Sequence, residues 1–66
     1  MEEDFDLYVL AELNYDKAKL GDIPEIWYNS KNYKLKVEII AEALEKHVKI
    51  EDTDLYKQAC SLNSFE

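Results

Sequence analysis

The sequence predicts an all-α fold, a small domain of three to four helices, and three observations carry that prediction. The 66 residues contain one glycine and one proline, so the chain has few places to reverse sharply, as a hairpin-rich β fold requires. Residues 33–48 repeat their apolar positions at helical spacing. The apolar-rich run of residues 5–20 is long for a strand and ordinary for a helix. The expected helices cover about residues 5–20, a short stretch at 24–28, 33–49 and 54–62.

The first segment is the ambiguous one. Phe5, Leu7, Val9, Ala11, Leu13 and Tyr15 alternate as a strand would, so the alternative is an α+β fold with residues 5–15 as a strand. Tyr8 and Leu10 spoil the polar side of that alternation, and Ala, Leu and Glu favour helix. Wound as a helix, the segment shows two apolar stripes: Phe5, Val9, Leu13 and Leu20, and Tyr8, Ala11, Tyr15 and Ala18. A helix apolar on two sides is sandwiched within its own fold or buried against another chain. Gly21 follows where a helix end favours positive φ.

Asp22 can cap the next element, and Pro24 suits a first helical turn running to Tyr28. Ser30 or Asn32 can cap the third helix, where Tyr33, Val37, Ile40, Ala41, Leu44 and Val48 share one face. Lys34, Glu38, Glu42, Glu45 and Lys49 take the other, with Glu42–Lys46 and Glu45–Lys49 at i,i+4. Residues 50–53 read as a short connection whose Thr53 caps a last helix with Leu55, Ala59 and Leu62 in line. The closing residues 63–66 are expected to fray, with Phe65 able to tuck back on the core.

Charge narrows function more than any motif. Fifteen acids face eight bases, all lysine, for a net charge of −7. Glu2, Glu3, Asp4, Asp6, Glu12 and Asp16 occupy the first sixteen residues without one base among them. Such a chain repels nucleic acid and anionic lipid and attracts basic surfaces. The small basic spot of Lys31, Lys34 and Lys36 lacks arginine and sits in an anionic body, which disfavours direct nucleic-acid binding. No apolar run approaches the ~20 residues of a membrane span, and the acidic start is unlike a signal peptide. Cys60, the sole cysteine, fits a reducing compartment, so a cytoplasmic location is expected. Apolar content of 47% is too high for a disordered acidic tail.

Catalytic and metal chemistry find little support. A structural zinc site needs four N/S ligands, and the chain offers Cys60 and His47. That pair lies on different expected helices, with no spacing that brings a nucleophile and base together; both read as structural. Asp52-Thr53-Asp54 lacks the glycine and closing glutamate of a calcium loop and reads as a cap. A non-enzymatic protein without cofactor or metal is expected.

Surface recognition is what remains. Trp27 and Tyr28 are amphipathic anchors of interface type, although Trp27 with Ile23 and Ile26 reads more readily as closing the core of a small fold. Tyr8 and Tyr15, seven apart beside the acidic end, read as interface residues less needed for the core. With Glu2, Glu3, Asp4, Asp6, Glu12 and Asp16 they complete the candidate partner-binding set.

In size and composition alone (tiny, acidic, cysteine-poor) the chain resembles phage-encoded inhibitors of host nucleases, anti-CRISPR proteins included. The resemblance implies carboxylates standing in for phosphates in the basic groove of a nuclease or other nucleic-acid-binding protein. The competing expectation is an antitoxin, immunity or regulatory subunit assembling through an apolar helical interface, homo-oligomers included.

Overall fold

The structure, a computed structural model, describes residues 2–28 and 32–62, with the side chains of 2–4 and 26 outside the description. The fold is all-α: α1 (Glu2–Ala18), α2 (Glu25–Tyr28), α3 (Tyr33–Lys46), a 3-10 turn (Ile50–Asp52) and α4 (Asp54–Ser61). No strand occurs among the described residues, so the alternative of residues 5–15 as a strand is set aside.

Local chemistry sets the boundaries. Asn32 caps α3, its Oδ1 accepting the Leu35 N–H at 3.2 Å. Two expected helices stop early. The first ends at Ala18 because Lys19 enters the left-handed region at φ +55°, its N–H closing on the Asp16 carbonyl. The third ends at Lys46, with His47 at φ +55° and the Val48 N–H returning to the Ala43 carbonyl. This Schellman-like closure carries Lys49 out of the helix, so the expected Glu45–Lys49 pair has no i,i+4 geometry to use. Gly21 adopts φ +129°, a conformation costly for any side chain, and a Cβ there would also crowd the Lys49 stem at 3.3 Å.

Thr53 caps α4 as expected, accepting the Tyr56 N–H at 3.2 Å while its hydroxyl donates to the Ile50 carbonyl at 2.7 Å. A second clamp was not visible in the sequence. Glu42, on α3, accepts the Asp54 and Leu55 N–H groups at 3.2 and 3.3 Å, as well as the Lys46 ammonium at 2.8 Å. A carboxylate is thus held at the amino end of α4, where the helix dipole favours it. Lys46, first among these contacts, holds the Glu42 carboxyl below its ordinary pKa.

The core forms chiefly where α1 packs on α3. Tyr8 and Tyr15 from α1, Trp27 from α2, Ile39, Ile40 and Ala43 from α3, Ile50 from the turn and Ala59 from α4 are buried together. Burial on α3 centres on Lys36, Ile39, Ile40 and Ala43, so of the expected stripe Ile40 is fully buried, Tyr33, Val37 and Leu44 pack partly against the core, and Ala41 is exposed. The expected contribution of Phe65 falls on residues outside those described, as does the expected fraying of 63–66.

Candidate functional site

Within α1 only one of the two expected apolar stripes enters the core; Phe5, Val9 and Leu13 of the other are exposed, and its Leu20, beyond the helix end, packs on the core. Tyr8 and Tyr15 are buried, with Ala11 packed beside them. The reason lies in their hydroxyls, which let a large ring go inside without stranding a polar atom. Tyr8 Oη donates to Glu12 Oε2 at 2.6 Å and accepts the Trp27 Nε1–H at 2.9 Å. Tyr15 Oη accepts the Ile50 N–H at 3.4 Å, tying α1 to the 3-10 turn. No buried side-chain nitrogen or oxygen among the described residues lacks a hydrogen-bond partner.

Lys36 is the second departure from expectation. Read as part of a basic surface spot, it is instead only 2% exposed. Its Nζ lies 4.8 Å from the Tyr8 ring centroid, 5.2 Å from that of Tyr33 and 5.7 Å from that of Trp27. Ring faces attract a cation and so offset part of its lost hydration. Burial still pushes the Lys36 ammonium pKa down, against the pull of the Glu12 charge. Burial, followed by the bond to Glu12, drives the Tyr8 phenol pKa well up. One aromatic box thus joins α1, α2 and α3.

These facts redistribute the expected partner-binding residues. Tyr8, Tyr15 and Trp27 are inside the fold, Trp27 with 0% exposure, so the reading of the two tyrosines as exterior anchors is corrected. Glu12 is half-buried and engaged by Tyr8. Asp6, Asp16 and Tyr28 are exposed. Glu2, Glu3 and Asp4 lie in the first turn of α1, and their side chains are outside those described.

The opposite side of α1 holds a feature the candidate set did not include. Leu7, Leu10 and Leu13 are 54%, 56% and 52% exposed, and Val9 and Phe5 are also open to solvent. Phe5 is steadied by an edge-on contact with Tyr33, their centroids 5.4 Å apart. The row continues into a groove of about 240 Å³ between α1 and α3. Its α1 wall is Leu7, Leu10, Ala11 and Asn14; its α3 wall is Val37, Ile40, Ala41 and Leu44. Asn14 is the single polar lining side chain. Four members of the expected α3 stripe thus form one wall of this groove.

An open trough below the ~300 Å³ of ordinary ligand pockets suits side chains from another polypeptide better than a whole small molecule. A run of large apolar side chains on one helix exceeds the scattered singles normal for a soluble surface. Among the described residues, no cluster of three His, Cys, Asp or Glu side chains could hold a metal ion. None of the helices there is long and apolar enough to cross a membrane. No protein-family model, curated protein or solved structure matches this chain.

Proposed function

We propose that this chain is a non-enzymatic binding module that docks on a partner protein through the outer side of α1 and the α1/α3 groove. The exposed Leu7–Leu10–Leu13 row carries the reading. Leaving three leucines more than half open to water forgoes roughly 1 kcal/mol each relative to covering them. The fold does not need them there, because the tyrosine stripe already supplies its α1 core contacts. A regulatory, antitoxin or immunity subunit has this character, with apolar contact supplying affinity and carboxylates selecting what approaches. The lone thiol of Cys60 suits a reducing cytoplasm as its setting.

A second reading draws its support from the net charge of −7 and the exposed Asp6 and Asp16. In it the chain is a phage anti-CRISPR-type inhibitor that fills the basic groove of a nucleic-acid-binding protein, with carboxylates in place of phosphates. Salt separates the two. Screening shortens to a Debye length of about 8 Å at physiological ionic strength and to about 3 Å at 1 M. With a partner isolated from the source cell, an apolar interface is expected to keep its Kd within about threefold between 0.1 and 0.5 M NaCl. A Kd that rises a hundredfold over that interval supports the phosphate mimic and counts against the apolar docking face.

A further inference from the structure

We infer that residues 22–28 form a strap that closes over the Lys36 ammonium, is latched by Trp27, and opens as a unit while α1 and α3 stay packed together.

The strap is attached by side chains more than by its backbone. Among the described elements, the closely packed pairs are α1 with α3, α3 with α4, and the 3-10 turn with both α3 and α4; α2 belongs to none of them. Its four residues fall far short of the ~12 that hold a helix by itself. The Trp27 N–H bonds back within the segment, to the Pro24 carbonyl at 3.0 Å. What reaches inward is the fully buried Trp27 ring, with Ile23 packed beside the core, while Asp22, Glu25 and Tyr28 face solvent.

Its neighbours are finished without it. The end of α1 closes on itself through the Lys19 N–H and the Asp16 carbonyl, and α3 takes its own cap from Asn32. Gly21, at φ +129°, supplies a joint on the α1 side where backbone angles change at little steric cost. Segments held by few buried contacts open below the free energy of global unfolding.

What the strap covers also opposes its closure. Closing brings the Trp27 ring to 6.2 Å from that of Tyr8 and its Nε1–H onto the Tyr8 hydroxyl, a gain in apolar burial and one hydrogen bond. The same step dehydrates Lys36, whose Nζ lies 5.7 Å from the Trp27 ring centroid. Ring faces return part of that hydration, yet burial still tells against the charge. Withdrawal of Trp27 readmits water to the ammonium, which then stands between the Tyr8 and Tyr33 rings.

The test is hydrogen exchange of the 15N-labelled full chain, followed by NMR in sub-denaturing urea. The Trp27 Nε1–H is expected to exchange about thirtyfold faster than the Ile40 and Ala43 amides after correction for intrinsic rates, and with a weaker urea dependence. Leu55→Ala, a change in α4 on the half-buried margin of the core, should speed the Ile40 and Ala43 amides about tenfold and leave the indole rate as it was. Limited acetylation read by mass spectrometry should modify Lys36 far more slowly than the exposed Lys34, at a rate that responds to urea as the indole does. An indole that exchanges with the α3 amides, sharing their urea dependence and their response to Leu55→Ala, overturns the strap, because Trp27 then leaves only when the whole fold does. Lys36 acetylated as fast as Lys34 overturns the cover over the ammonium.

Discussion

Replacing Leu10 and Leu13 by glutamine is expected to weaken partner binding about 30- to 150-fold while leaving the fold intact. The magnitude follows from two side chains that each expose more than half their surface. Covering the remainder transfers roughly 1–1.5 kcal/mol of apolar free energy apiece, and 1.4 kcal/mol is a factor of ten in Kd. Glutamine is a good helix former and carries no charge, so neither helix propensity nor electrostatics should confuse the result. Circular dichroism and the thermal midpoint of the double variant should match the parent within a few degrees. A double variant that folds and binds with parental affinity would remove the apolar row from the interface.

Tyr8→Phe is expected to lower stability at neutral pH by about 1–3 kcal/mol, the cost of disturbing a buried hydrogen-bond pair. It removes both the acceptor of the Trp27 Nε1–H bond and the donor to Glu12. For a chain of this length the total stability is roughly 3–10 kcal/mol, so the loss is a substantial part of it. The substitution should also change the alkaline limb of the stability curve. Burial raises the folded Tyr8 pKa above its ordinary 10.0, so the folded state keeps a proton that the unfolded chain releases. Stability from this group is therefore complete below pH 10 and falls as pH climbs beyond it. Tyr56 adds to the fall, its phenol pushed up to about 12 by burial and then by its bond with Cys60. Lys36 opposes it, since its lowered pKa makes the unfolded chain the better proton binder until about pH 10.5. Trp27, the only tryptophan, reports unfolding by its fluorescence. Urea midpoints should fall above pH 10 in the parent and fall less steeply in Tyr8→Phe; equal slopes would show that the Tyr8 phenol is not the source.

Much of the fold was legible because its signals are local. Asn32 and Thr53 sit where a capping side chain can reach the first free N–H groups, and each caps its helix. The spacing of apolar residues in α3 and α4 needed no tertiary information either. The site was less legible, because what decides it is which of two apolar stripes the rest of the chain covers. Tyr8 and Tyr15 win that place through hydroxyls that meet Trp27, Glu12 and the Ile50 N–H, partners 4 to 35 residues away. Leu7 and Leu10 belong to neither stripe as drawn from periodicity; their common ground with Leu13 is the exposed side of α1, and their groove neighbours come from α3. Lys36 reads as a solvent-facing base until three aromatic rings from three helices close around it. The early helix ends at Lys19 and His47 depend on non-glycine residues taking positive φ, which sequence statistics assign to glycine first.

The most direct measurement is photo-crosslinking in the source cell, with a photoreactive amino acid placed at position 10 of the full chain or, separately, at position 52. Asp52 is exposed in the 3-10 turn, outside the α1/α3 groove. A docking face on the outer side of α1 predicts a discrete adduct with one protein from position 10 and none of that adduct from position 52. Crosslinking to the partner from position 52, with position 10 silent, would contradict it.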